Sequence, residues 1–335
     1  MRQNISMSLD SLNPPFDKVW DFETDAGFPI YSLTASDYAL FAANLNGDLY
    51  ALNIESGKKA GNISSGSIEY ISSPVLTDDR IFFSFNSLSG GGLTCYSIRD
   101  GEKLWNRNLF RTTSPMLFIE NSIITNDGVY LKKFNSSDGK LIWQIKTPSS
   151  LNLHTFVLSD SSVFSDDDSG MLYKINLSDG KIMQSFKLTA QITSDIAYFK
   201  GKLYFTLNNE KFICLNNNLE MIFSSDIVSY CSAGFSVRDS VILFGCVNGN
   251  LYCFNNNTGD ILWQKSFGST FRASPLIHNN LAFIGCYDKN FYCLNLSNGD
   301  IFWTFATDGR IRSTPLIWGK YIFISSDDRK IYCFK

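Results

Sequence analysis

The sequence predicts an all-β chain: an eight-bladed β-propeller of four-stranded antiparallel blades, closed by the N-terminal strand completing the last blade. Three observations predict it. A pattern recurs about every 40 residues, each copy holds four short apolar runs, and the chain opens on the strand that its last copy lacks.

The recurrence is plainest in GNLYCFNNNTGDILWQKSF (249–267) and KNFYCLNLSNGDIFWTFAT (289–307). Weaker relatives are GDLYALNIESG (47–57), GLTCYSIRDG (92–101), LKKFNSSDG (131–139), GMLYKINLSDG (170–180) and KFICLNNNLE (211–220). KIYCFK (330–335) is an eighth copy cut at its strand. The equivalent apolar positions are Leu52, Tyr96, Phe134, Ile175, Leu215, Phe254, Leu294 and Phe334, spaced by 38 to 44 residues.

A second marker follows each turn. Trp20, Trp105, Trp143, Trp263 and Trp303 open a short strand, with Met183, Ile222 and the stretch around Ala60 filling the slot in the weaker copies. A third marker is a Ser-Pro or Thr-Pro run: SSPVL (72–76), TSPML (113–117), ASPLI (273–277) and STPLI (313–317). An apolar run follows each, such as RIFFSF (80–85) and LAFIGC (281–286).

The apolar residues alternate or run for four to six positions between Gly, Asn and Asp. That is strand patterning, and Asn248-Gly249 and Asp138-Gly139 suit hairpins that need positive φ. The fifth copy is the most degenerate: TSDIAYF (193–199) has no proline, and its turn glycine and tryptophan are missing.

The phase predicts closure. Lys18–Glu23 is a Trp-bearing strand with no blade before it, and Ile331–Phe334 lacks the Trp-strand that should follow. The expected organisation is a 1–17 N-terminal extension and a single propeller over 18–335.

Composition bounds the function. The chain has 335 residues and a formal charge of −3, from 29 basic and 32 acidic side chains. No basic excess supports nucleic-acid binding, which needs a clustered positive face. No apolar run reaches the ~20 residues of a membrane span. The first residues carry no apolar core of a secretory signal, so the expectation is a cytoplasmic chain, periplasmic if a leader precedes it.

Eight cysteines include no CxxC pair. Cys253, Cys293 and Cys333 are spaced by 40 and 40, and Cys246 and Cys286 by 40. Cysteine at repeated strand positions acts as a small apolar residue, which predicts buried free thiols and not a disulfide framework.

LYALNIESG, YCFNNNTGDILW and YCLNLSNGDIFW resemble the pyrroloquinoline-quinone-like, or quinoprotein, propeller repeat. Its pattern is an apolar strand ending near Tyr-Ala-Leu-Asp, then Thr-Gly, then a Trp three or four residues on. The resemblance covers about 18 to 335 and includes the Ser-Pro strand. WD-repeat propellers match less well, because their Gly-His and Trp-Asp dipeptides are absent at repeat-fixed positions.

The resemblance implies two branches: dehydrogenases that bind the quinone with calcium, and scaffolds such as the outer-membrane assembly lipoprotein. Fold alone does not separate them. The enzyme branch has longer chains, large insertions and often a vicinal Cys-Cys pair. This chain has short loops and no adjacent cysteines. SDDDSG (165–170) is its richest acidic spot and could hold calcium, but neighbouring copies place a polar hairpin turn there. His154 and His278 are the only histidines, with no nucleophile partner suggested by a motif. His278 falls in a predicted, exposed turn.

Residues just before each Ser-Pro should line one mouth. They are Glu69 and Tyr70, Phe110 and Arg111, Phe271 and Arg272, and Arg310, Ile311 and Arg312, with His154 in the fourth copy. Arginine with aromatics suits anionic groups and protein partners; the alternative is that these arginines pair with neighbouring acids or simply solvate the rim. Trp318 breaks the repeat phase in a predicted turn and hints at a partner surface. The reading is a non-catalytic, monomeric scaffold for a protein or peptide, with no cofactor, nucleic acid or membrane span. The alternatives are a quinone- or small-anion-binding propeller, a redox enzyme among them, or the propeller domain of a larger enzyme.

Overall fold

The computed structural model describes residues 12–64, 70–71, 74–87, 90–112, 116–151, 157–158 and 161–335. Every regular element among them is a strand. The strands form eight antiparallel sheets, and the fold is the eight-bladed propeller that the repeat predicts. No helix of the described residues is long and apolar enough to cross a membrane.

The chain divides into two units, Ser67–Tyr230 and Arg2–Gly66 with Cys231–Lys335. The first unit holds blades two to five. Blade three runs Leu117–Ile119, Ser122–Asp127, Tyr130–Asn135 and Leu141–Lys146 in spatial order. Blade four runs Val157–Leu158, Ser162–Asp166, Met171–Asn176 and Ile182–Lys187. Blade five, degenerate in sequence, is still complete, from Ala197–Phe199 to Met221–Asp226. In blade two, both Tyr70–Ile71 and Val75–Leu76 pair with Arg80–Ser87.

The second unit holds blades one, six, seven and eight. Blade eight orders Leu316–Trp318, Tyr321–Ser325, Lys330–Phe334 and then Lys18–Glu23. Trp20 stands opposite Cys333, so the N-terminal strand completes the last sheet as the phase predicts.

Tryptophan and turn glycine are two halves of one joint between blades. The Trp143 ring lies on Gly180 of the next blade, where an added Cβ would come within 2.7 Å of it. Its Nε1 donates to Leu177 O at 3.1 Å. Trp105 does the same with Gly139 and Ser136 O, and Trp263 with Gly299 and Leu296 O. Gly180 has φ +74°, a region costly for any other residue.

The weaker copies are corrected by one residue. A bulge at the start of each outer strand adds a residue ahead of the tryptophan slot. The slot residues are therefore Gln184 and Phe223, not Met183 and Ile222, while Gly61 fills the slot within the stretch around Ala60. Gln184 keeps the polar half of the joint, donating Nε2 to Asn218 O at 2.7 Å.

All eight cysteines are free and buried, as their spacing predicts. Burial pushes the Cys95, Cys214, Cys253 and Cys293 thiols up to about 12 from the ordinary 9.0. A thiol raised on folding contributes stability below the unfolded value that is lost as pH climbs toward the folded one. We expect no reaction of native protein with a disulfide reagent at pH 8, full reaction after unfolding, and a falling urea midpoint between about pH 9 and 12. Rapid labelling of native protein would refute the packing role.

Candidate partner-binding face

Two kinds of loop carry the candidate residues. One joins the outer strand of a blade to the innermost strand of the next. The other is the hairpin between a blade's second and third strands. Main-chain bonds tie them together: Gly128 N donates to Arg111 O at 2.8 Å, and Asp327 N to Arg310 O at 2.9 Å. Arg111 and Arg310 thus hold equivalent places in their loops.

In the first unit, Asp127 organises the loop. Its buried carboxylate takes the amides of Phe110 and Arg111 on Oδ1, at 2.6 and 3.0 Å. Oδ2 takes Lys132 Nζ at 2.6 Å. The two amides cannot swing, yet the side chains they carry point outward. Phe110 is 83% exposed. Arg111 is exposed, with no side-chain partner among the described residues.

In the second unit, the three predicted arginines differ. Arg312 makes a two-pronged bond to Asp327, Nε to Oδ1 at 2.8 Å and Nη2 to Oδ2 at 2.6 Å. Arg310 lies over the Tyr287 ring at 5.4 Å. Arg272 is exposed and has no partner among the described residues. Neighbouring acids therefore take up Arg312 alone. Phe271 and Ile311, predicted beside the arginines at the mouth, are fully buried. They press on Gly245 and Gly285, where an added Cβ would come within 2.5 and 2.1 Å. The alternation of a strand-like loop turns them inward and the arginines outward.

Glu69 and His154 lie outside the described residues. Tyr70 pairs with Asn86 in the backbone of blade two. His278 is corrected from an exposed turn to the end of strand Leu276–His278, where it is 2% exposed and its Nε2 meets Asn279 Nδ2 at 3.1 Å. Trp318 is corrected likewise: it ends strand Leu316–Trp318, half-buried against the cluster around Trp20 and Phe28. Only Gly319 and Lys320 form the turn between its strand and Tyr321.

Sequence reasoning passed over a recurring pair. Tyr292 donates to Asp288 at 2.5 Å, Tyr332 to Asp328 at 2.7 Å, and Tyr173 to Asp167 at 2.6 Å. The spacing Asp-x-x-x-Tyr at 288–292 and 328–332 is its visible signal. Burial and then the carboxylate push each phenol above its usual range. In SDDDSG this pair spends the central acid. Asp167 also accepts from the amides of Ser169 and Met171 and from Ser169 Oγ. That set of donors stabilises a hairpin turn and does not suit calcium. Among the described residues no group of three His, Cys, Asp or Glu is placed to hold a metal. The sequence has no vicinal thiols, and the described residues do not fit a quinone–calcium site of the kind the resemblance implies.

The chain is similar in structure to BamB from Moraxella catarrhalis, with TM-score 0.80 and 15% identity over 96% of this chain and 100% of that one. It is also similar to the computationally designed Ika8 protein, with TM-score 0.81 and 13% identity over 93% and 97%. A quinohemoprotein alcohol dehydrogenase from Comamonas testosteroni gives 0.79 and 10% identity over 95% of this chain and 76% of that one. At these identities the likeness shows the fold. No curated protein matches the sequence. The family described as outer membrane protein assembly factor BamB matches residues 11–150, 217–310 and 247–335, leaving out between them 151–216, which holds blade four and the first three strands of the degenerate fifth blade. With well over half its length matched, the chain belongs to this family of pyrroloquinoline-quinone-like propeller repeats.

Proposed function

We propose that the chain is a non-catalytic scaffold that holds a protein partner on its loop face. The observation that carries this reading is the Phe110–Arg111 loop. Its backbone is fixed by Asp127, while a large aromatic and a cation without a side-chain partner among the described residues stand in solvent. A rigid loop presenting these two side chains loses little entropy on binding, and aromatic and arginine residues dominate binding hot spots. Val228, 64% exposed, occupies the corresponding place after the outer strand of blade five, with Tyr230 exposed two residues on. The family description, an assembly factor, agrees with a role in holding other proteins.

The other reading is an anionic small ligand, a quinone included, at Arg272. It has in its favour a cation without a partner among the described residues, but these residues do not supply the supporting acids described above.

The test uses a photo-crosslinking residue at position 110. A discrete adduct with one protein, lost in Arg111→Glu while the melting temperature holds, is the expected result. Pyrroloquinoline quinone with calcium is expected to leave the melting temperature unchanged, since only a ligand of the folded state raises it. A clear rise accompanied by a quinone chromophore would overturn the scaffold reading in favour of Arg272.

A further inference from the structure

We infer that the outer strands of blades three and four, Leu141–Lys146 and Ile182–Lys187, take up an extended acidic segment of a protein partner by strand addition. The inference is independent of the Phe110–Arg111 loop.

Each of these strands is the last in its sheet, paired on one side only. Among the described residues no backbone bond reaches the other side. Such an edge is a template for another strand, and proteins usually block it, often with lysine. Blades eight, one and two do so. They place Lys18, Lys59 and Lys103 at the first position of the outer strand. Blades three and four place Leu141 and Ile182 there, followed by Ile142 and Met183. These four apolar side chains are between 43% and 55% exposed. The bulge sets the pair at the surface.

Charge selects these two blades and the kind of segment. KLIWQIK (140–146) and KIMQSFK (181–187) carry lysine at both ends. Blade five has an equivalent apolar pair, Met221 and Ile222, but flanks it with Glu220 and Asp226. Blades six and seven precede theirs with Asp260 and Asp300. Lys146 has no partner among the described residues. Lys187 donates to Ser169 O. Lys140 and Lys181 meet Asp138 and Asp179 at 3.0 and 3.2 Å, on exposed side chains whose ion pairs hold weakly and exchange readily. A strand whose side chains alternate apolar and acidic would meet the apolar pairs, the lysines and the open main chain together. A lipid surface would offer no hydrogen-bonding partner at strand spacing.

The probe is a labelled peptide in which Thr and Ile alternate with Glu, titrated with the full chain and followed by anisotropy. We expect saturable binding that weakens with salt, slowed amide exchange over 141–146 and 182–187, and no change in Phe110→Ala/Arg111→Glu. Leu141→Lys/Ile182→Lys should bind at least tenfold more weakly. It should fold normally, because it installs the residue that three other blades carry at that position. Lys146→Glu/Lys187→Glu should lose the acidic peptide and gain its lysine counterpart. No saturable binding, or undiminished binding to Leu141→Lys/Ile182→Lys, overturns the inference. So does sedimentation with phosphatidylglycerol vesicles in the absence of peptide binding, which would assign the edge to lipid.

Discussion

Trp143→Ala is expected to lower the unfolding free energy by about 3–5 kcal/mol, the range for truncating a large buried aromatic. The indole is buried and closes the joint between blades three and four. The loss should come almost wholly from packing. Leu177 O keeps a second donor, the buried Lys133 Nζ at 3.0 Å, so the substitution leaves no orphaned carbonyl. Trp143→Phe tests that division. It keeps most of the ring and removes the N–H, for which about 1 kcal/mol is the ordinary net value. Gly180→Ala approaches the same joint from the other side, where the new methyl must displace the ring at a strained φ. Urea midpoints of the three variants at constant m-value would check this. A loss below about 1 kcal/mol for Trp143→Ala would mean that the tryptophan joints do not hold neighbouring blades together.

The same joint shows how far the sequence could be read. Blade number, strand order and closure were legible because each repeat spends its residues on the same three markers, and backbone pairing follows apolar spacing. The slot in copies without tryptophan was not legible to within one residue. A bulge inserts a position without changing composition, so Ile182, Met183 and Gln184 read alike until pairing places Lys174 opposite Gln184. Neither was the partition of the arginines. Arg272 and Arg312 share a repeat position, yet Arg312 is bound because Asp327 stands in the hairpin facing it. Arg272 stays free. A single repeat motif fixes where a side chain starts, whereas its partner belongs to another loop whose sequence varies freely. His278 and Trp318 were misplaced for a third reason. Polar or bulky residues at a strand end look like turn residues when the turn itself is only two residues long.

Phe16→Ala is the second large effect, expected at about 3–4 kcal/mol. Trp263 rests on the turn glycine Gly299, whereas among the described residues no turn glycine lies on Trp303. Phe16 stands in that place, edge-on to the Trp303 ring at 5.3 Å and 90°. With Leu12 it is buried in the cluster that holds Phe283, Phe291 and Phe334. Two main-chain bonds between Asp17 and Lys335, each 3.0 Å, fix the segment beside the last strand. Residues 12–17 are thus a packing element of blades seven and eight, although nothing in their sequence repeats. The loss should be larger than for an exposed tail and should be accompanied by a change in Trp303 fluorescence. Combined with Trp303→Ala, the two losses should fall short of their sum, because the rings share one contact. Additive losses, or a Phe16→Ala midpoint equal to wild type, would show that the segment merely lies on the propeller without closing it.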